Sequence, residues 1–299
     1  MTKPWEAERV VDPELARRLI RAQAPGISAE RVELLGAGWD NTVYRVDGEW
    51  VFRFPRRQIG ARLIAIELAI LPRIAGRLPA PIPNPVWAGE PTPDYPWPFA
   101  GYRYLPGEPA SHLDLGDEGR AALAEPLGRF LAALHALPIE ELVPLGLPRD
   151  TLGRLDLDRR IPQAQEQLDR ALHLGLISSL EPYLPLMEGL PRGPRPTCLV
   201  HGDFYARHLL LCDRRLCGVI DWGDLHAGDP AVDLMVLAAF LPACARPAFL
   251  ASYGPIEDET LRLARFRALY HTLALLLYAH DLGDAPLQRE ARRALSYLS

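Results

Sequence analysis

From Arg31 to Phe54 apolar and polar positions alternate with the two-residue period of strands: VELLGAG, then NTVYRV, an Asp47-Gly48 turn, and EWVFRF. Asp-Gly between alternating runs signals a hairpin, because both residues tolerate positive φ, and an antiparallel sheet is expected here. The period then changes. Across residues 61 to 78, Leu63, Ile66, Leu68, Ile70 and Leu71 recur as densely as in a helix buried on one broad face, which Pro72 should kink or shorten. A proline-rich stretch, PAPIPNPVWAGEPTPDYPWP, leads to FAGYRYLPGEPA, expected to be a strand ending in a turn at Pro106-Gly107.

Residues 118 to 137 carry Leu123, Leu127, Phe130, Leu131 and Leu134 at helical spacing, and the chain beyond is mostly helical apart from one short β segment at 198 to 221. No internal repeat is present. Strands first and helices later predict an α+β protein of two lobes: residues 1–105 with a small antiparallel sheet, and residues 106–299, mostly helical.

A chain of 299 residues that is 48% hydrophobic can bury a substantial core. Its net charge of -5 argues against a nucleic-acid partner, which calls for a basic chain. The first residues have no apolar run of the kind a secretory signal needs, and the most apolar stretch, 273 to 279, is too short to span a bilayer. A cytoplasmic protein with no membrane partner is expected. The four scattered cysteines, Cys198, Cys212, Cys217 and Cys244, are expected to be reduced thiols. Cys212 and Cys217 flank a predicted hairpin turn and lack a second CxxC, so they are expected in the core rather than on zinc. Lys3 is the sole lysine, so the P-loop sequence GxxxxGK[ST] cannot occur.

The segment LVHGDFYARHLLLCDRRLCGVIDWGDLHAGDPAVDLM concentrates chemistry. It gathers His201, Asp203, His208, Asp221 and Asp224 around a hairpin, LLLCDRRLCGVID, whose turn is expected at 213 to 215. Strand pairing would bring the ends of the hairpin together. Phosphoryl transfer needs two such acids, one to orient a hydroxyl and accept its proton, one to hold Mg²⁺ against the β- and γ-phosphates.

HGD-x-x-x-x-[N/H] followed by [IV]DW resembles the aminoglycoside phosphotransferase family, a protein-kinase-like fold. The HGDxxxxH form is similar to that of macrolide phosphotransferases. The likeness covers roughly residues 32 to 241 and includes GAGWDNTVYRV, VFRFP and Glu67. It implies a small-molecule kinase that moves the γ-phosphate of ATP or GTP, with Mg²⁺, onto a hydroxyl of a small compound, a macrolide or aminoglycoside antibiotic among the candidates.

By that resemblance Asp203 is the catalytic base and Asp221 a metal ligand. His208 stands where most members place a second ligand, Asn, and imidazole is softer than the oxygen donors Mg²⁺ prefers. Arg53 is the cation on the α- and β-phosphates, where lysine is usual, and Glu67 its ion-pair partner. Gly36 and Gly38 belong to the loop over the phosphates. Arg103 and Leu105 would meet the purine through their main chains, with Tyr102 behind it. His201 supports the catalytic loop by hydrogen bonding, and Asp224 is counted with it.

Other residues are read as structural: Asp229 as the cap of the helix AVDLMVLAAF, His112, His135, His173, His271 and His280 as surface or packing histidines, Tyr270 and Tyr278 as core. Asp233 faces either outward or toward the catalytic loop. The acceptor pocket is expected between Asp203 and residues 243 to 284, where Glu257, Asp258, Asp281 and Asp284, with Asp224, would attract a polycation and residues 273 to 277 would line an apolar pocket. Two rivals remain: a metal-dependent hydrolase using His201, Asp203, His208 and Asp221 as ligands, and a degenerate kinase fold that binds nucleotide without turnover.

Overall fold

The computed structural model describes residues 7–38, 40–193, 195 and 197–299; Trp39 of the expected phosphate loop and the first six residues, Lys3 included, lie outside them. Backbone contacts divide the chain into two compact units. The first holds Met1–Pro106, Glu141–Leu147 and Trp222–Asp224; the second holds Gly107–Glu140, Pro148–Asp221 and Leu225–Ser299.

In the first unit, helix α1 (Pro13–Gln23) precedes strands β1 (Val32–Ala37), β2 (Asn41–Val46) and β3 (Trp50–Pro55). Helix α2 (Gln58–Ile74), β4 (Pro85–Gly89) and β5 (Phe99–Arg103) follow. The sheet is antiparallel, in the order β1-β2-β3-β5-β4. Asp47 and Gly48 take φ of 49° and 76°, and the Glu49 N–H closes the turn on the Val46 carbonyl at 3.2 Å. Strand alternation sends Phe52 and Phe54 of β3 into an apolar cluster with Tyr44, Tyr95, Phe99 and residues of α1. Arg53, between them, is therefore turned to the other face, where its partner is Glu67 of α2. Pro72 lies inside α2, which ends at Ile74 and tightens into a 3₁₀ turn over Ala75–Arg77.

The second unit is mostly helical: α3 (Gly116–Ala121), α4 (Ala124–His135), α5 (Leu157–His173), short α6 (Ala231–Leu234) and α7 (Val236–Ala239), α8 (Arg246–Tyr253), α9 (Asp258–Leu282) and α10 (Ala285–Leu298). The single helix expected over 118 to 137 is two, α3 and α4. Pro126, near the start of α4, has no N–H to continue a ladder, and its ring would clash with the carbonyl one turn back. Helix α9 buries residues around its circumference, Phe266, Leu269, Leu273 and Leu276 with Arg267 and Tyr270, as a helix enclosed by protein must.

Short strands among the described residues complete this unit: β6 (Glu108–Pro109), β7 (Cys198–Val200), β8 (Leu209–Cys212), β9 (Arg215–Val219) and β10 (His226–Gly228). β8 and β9 form the expected hairpin, with β6 on the free edge of β8, while β10 pairs with β7. Its turn is Asp213 and Arg214, both at positive φ, because Arg215 already pairs with Cys212. The expectation of four reduced thiols is corrected: Cys212 and Cys217 form a disulfide, and Cys198 and Cys244 are free. The hairpin register sets the two Cα atoms 5.7 Å apart, within disulfide range. Among the described residues no helix is long and apolar enough to cross a membrane.

Candidate active site

The candidate catalytic loop leaves β7 at His201 and returns at the start of β8. His201 is buried with both ring nitrogens engaged: Nδ1 accepts the Asp203 N–H at 3.2 Å, and Nε2 faces the Ile220 carbonyl at 3.0 Å. A carbonyl only accepts, so Nε2 carries the proton and the ring is neutral. Burial drives the His201 pKa down to about 4, against the opposing pull of Asp233. His201 thus tacks the loop to the end of β9 and has no lone pair left for a metal.

The hairpin converges the remaining groups. The Ile220 N–H donates to the His208 carbonyl at 2.9 Å, extending the β8–β9 ladder so that Asp221 emerges beside His208. His208 Nδ1 lies 2.8 Å from the Asp203 carbonyl and 3.6 Å from Asp203 Oδ2; its Nε2 lies 3.4 Å from Asp221 Oδ2. Since the carbonyl must accept, Nδ1 carries a proton, and Nε2 is the atom turned toward Asp221. The two carboxylates therefore bracket one imidazole. The Asp203 side chain is 24% exposed and that of Asp221 51% exposed. Asp221 sits at φ 64°, a left-handed conformation that costs a non-glycine residue about 1 kcal/mol and is held by its surroundings.

Among the described residues no group of three or more His, Cys, Asp or Glu forms a metal cage. Mg²⁺ typically takes one or two protein ligands and completes its shell with phosphate oxygens and water. Asp221 supplies a hard oxygen and His208 Nε2 one nitrogen beside it. With His201 committed to the backbone, the four-ligand hydrolase site is not formed.

From the sequence Asp233 faces either outward or toward the candidate catalytic loop, and His135 and His271 are surface or packing histidines. Asp233, fully buried at the start of the segment after β10, accepts the His201 N–H at 2.7 Å and the Gly202 N–H at 2.9 Å; His135 Nε2 lies 3.3 Å away. Burial alone would raise the Asp233 carboxyl, but the His135 hydrogen bond, with charges and amides around it, holds it below the ordinary carboxylate range. Arg154 fixes the loop from the other side, donating from Nε to the Gly202 carbonyl at 3.0 Å. His271 of α9 places Nε2 3.8 Å from Asp203 Oδ1. Asp229 is structural, accepting the Ala231 N–H at 2.8 Å and pairing with Arg195. A cavity of about 380 Å³ at the opposite end of α9, lined by Leu237, Asp258 and Arg262 among others, includes none of these groups.

In the first unit Arg53 NH1 meets Glu67 Oε2 at 2.8 Å, and the Tyr102 hydroxyl lies 3.2 Å from the same oxygen. Glu67 is fully buried, so the pair is a desolvated ion pair steadied by a neutral donor. Neither Gly36 nor Gly38 has positive φ, and a Cβ added at either would meet nothing closer than 4.0 Å, so internal crowding does not demand glycine there. Arg103 is exposed beside Glu49 and Trp50, and Leu105 follows the end of β5. Asp224 groups with the first unit, not with the catalytic loop.

A two-acid loop on a hairpin among helices, with a buried Arg–Glu pair on a separate antiparallel sheet, defines a protein-kinase-like phosphotransferase. The chain belongs to the Phosphotransferase enzyme family, whose profile matches residues 31–275. Among solved structures it resembles the GDP complex of wild-type aminoglycoside 2'-phosphotransferase-IIIa, with 27% identity, a TM-score of 0.70, and coverage of 96% of this chain and 97% of that one. A GDP and kanamycin complex of APH(2")-IIia matches at 28% identity and a TM-score of 0.69, covering 94% of this chain and 97% of that one. Macrolide 2'-phosphotransferase MphH from Brachybacterium faecium shares the fold, at 24% identity, a TM-score of 0.62, and coverage of 94% and 98%. Among curated proteins, acyl-CoA dehydrogenase family member 11 of Rattus norvegicus is 32% identical over 123 residues, 40% of this chain but 15% of that protein. Uncharacterized protein YcbJ of Bacillus subtilis is 26% identical over 234 residues, 73% of each. The fold class and family expected from the HGD and DWG segments are those observed.

Proposed function

We propose that this phosphotransferase moves the γ-phosphoryl group of ATP or GTP onto a hydroxyl of a small compound. The observation that carries the reading is the bracketed constellation Asp203, His208 and Asp221. Asp203 orients the attacking hydroxyl and takes its proton as the new O–P bond forms and the bond to the leaving nucleoside diphosphate breaks. Asp221, with His208 Nε2, would hold Mg²⁺, which when bound neutralises charge on the β- and γ-phosphates. His208 also keeps Asp203 in place through the backbone carbonyl.

In the first unit Arg53, fixed by Glu67 and Tyr102, grips the α- and β-phosphates. The open flanks of Gly36 and Gly38 let phosphate oxygens approach the backbone amides. The main chains of Arg103 and Leu105 meet the purine. His201 positions the loop and touches no substrate. Such chemistry gains its rate from positioning and preorganised charge. The GDP of the solved relatives supports a nucleotide donor, and their kanamycin a hydroxylated acceptor.

The test is a nucleotide-consumption screen with ATP and GTP in parallel, with Mg²⁺, against macrolides, aminoglycosides, sugars and amino alcohols. Transfer of phosphate to an acceptor, lost in Asp203→Ala, is the expected result. Nucleotide binding with no turnover on any acceptor would make the chain a nucleotide-binding module instead.

A further inference from the structure

Arg267 of α9 is a buried cation to which the described residues bring no anion. It is 5% exposed, its Nε has no hydrogen-bond partner, and among the described residues no carboxylate lies within 4.0 Å of its guanidinium. Its described contact is the Tyr270 ring, 4.8 Å from Cζ. Desolvating a guanidinium without a counter-charge is costly, and a ring face offsets only part of that cost.

The place of this charge matters. His271 follows one turn later on the same face of α9, and its Nε2, also buried without a hydrogen-bond partner, stands 3.8 Å from Asp203 Oδ1. Burial first, then the charges of Arg267, His208 and Arg154, hold the His271 imidazole well below its ordinary pKa, so the ring is neutral in a positive field. Arg160 stacks 5.3 Å from the same Tyr270 ring, donating its Nε–H to the Gly153 carbonyl at 2.8 Å. Arg154 uses its NH1 on Asp150 at 2.9 Å. The acids that would suit a polycation are occupied or distant. Asp281 pairs with Arg170, Asp284 caps α10, and Glu257 and Asp258 lie at the start of α9.

We propose that the acceptor is an anionic hydroxyl compound, whose carboxylate or phosphate is bound by Arg267 while its hydroxyl lies at Asp203, on the other side of His271, the residue one helical turn on from Arg267. The proposal rests on Asp203 being the base. His271 Nε2, between the two ends, meets the acceptor's polar middle. Arg267 sets specificity: a polyamine such as kanamycin would bring like charge to a buried guanidinium.

A polyol series with hydroxyls at every spacing tests this: D-gluconate, sorbitol 6-phosphate, sorbitol, and the amine D-glucamine. Each is added to full-length protein saturated with Mg-ADP, so that the nucleotide site is closed to them, and thermal unfolding is followed. Gluconate or sorbitol 6-phosphate should raise Tm, while sorbitol and glucamine should not; which anion acts separates carboxylate from phosphate. The shift should vanish in Arg267→Gln and Arg267→Met, the latter retaining packing on Tyr270, and persist in Arg267→Lys. In turnover with MgATP, Arg267→Met should raise KM for the anionic acceptor by roughly tenfold or more with a smaller change in kcat. No stabilisation of wild-type protein by either anion, equal stabilisation by glucamine, or an undiminished shift in Arg267→Met overturns the proposal. Anion-dependent stabilisation without phosphoryl transfer to any hydroxyl would leave the anion site standing and remove the phosphotransferase reading. Turnover on a neutral or cationic acceptor, untouched by Arg267→Met, would do the reverse.

Discussion

Asp233, fully buried, accepts the backbone N–H of His201 at 2.7 Å and so holds the first residue of the HGD loop from the helix that follows β10. Its second oxygen takes the Gly202 N–H, and His135 closes the group from α4. Two adjacent amides can both point at one carboxylate only if the loop turns sharply there, and Gly202, at φ 87°, supplies that turn. Asp203 is presented next in sequence.

Asp233→Ala should strand both amides and His135 in a dry environment, costing about 3 to 5 kcal/mol of stability. Asp233→Asn keeps one acceptor oxygen but opposes an amide donor to a loop N–H, and should cost about 1 to 3 kcal/mol. In Asn, kcat should fall more than KM rises, because the loop that carries Asp203 loosens while the Arg53–Glu67 pair proposed to hold nucleotide is untouched. Denaturant unfolding beside steady-state kinetics checks both. A variant of normal stability and normal kcat would remove Asp233 from the loop's support.

Acid should unfold this protein through its buried histidines before its carboxylates. The folded pKa of His201, about 4, lies below its ordinary 6.5, so in that window the unfolded chain binds a proton that the folded chain refuses. Stability is therefore intact above about pH 6.5 and falls as pH drops toward 4, by about 3 kcal/mol from this residue, and His271 is shifted in the same direction. Asp233, shifted down, adds its loss only below the ordinary carboxylate range. Urea unfolding at a series of pH values between 4 and 8 should show the loss, and His201→Gln should flatten it.

What could be read from the sequence was what neighbours in sequence decide. The β2–β3 hairpin follows from Asp47-Gly48, and the β8–β9 hairpin follows from paired apolar runs around a polar turn, so Asp203 and Asp221 could be expected near one another. The break between α3 and α4 was hidden because continuous leucine spacing outweighed the one residue, Pro126, that interrupts the ladder. The disulfide depended on register: with Cys212 paired to Arg215, the two cysteines have Cα atoms 5.7 Å apart. Asp233, Arg267 and His271 had no local signal. Each acts on the loop from another element, and a buried acid or base on a helix face looks in sequence like a solvated one.

Glu67 pairs with Arg53 and with the Tyr102 hydroxyl inside the first unit. Glu67→Ala removes the buried carboxylate from a mostly buried guanidinium, lowering stability by about 3 kcal/mol. Tyr102→Phe removes one neutral hydrogen bond and should cost about 1 kcal/mol. If Arg53 grips phosphate, Glu67→Gln should weaken MgATP binding and lower kcat, because the guanidinium loses its fixed direction, while Tyr102→Phe changes either less. Calorimetric titration of MgATP into the three variants separates the structural from the nucleotide effect. Unchanged affinity in Glu67→Gln would confine the pair to folding.

The two acids should fail differently. If Asp203 is the proposed base, Asp203→Ala removes the proton acceptor without touching the Asp221 carboxylate, so turnover should drop by about 10² to 10⁴, the range for losing a general base, while MgATP affinity stays within a few-fold. Asp221→Ala removes the hard oxygen donor, so MgATP binding itself should weaken and the Mg²⁺ requirement shift to higher concentration. His208→Asn separates its two bonds: an amide can still donate to the Asp203 carbonyl and offer an oxygen toward the metal. Activity should survive in that variant, with preference moved toward harder cations, as read from rates in Mg²⁺ against Mn²⁺. If His208 serves only to tie the loop, the metal preference will not move. If Asp221→Ala keeps its Mg²⁺ dependence, the metal is held elsewhere and the pairing of Asp203 with Asp221 loses its chemical meaning.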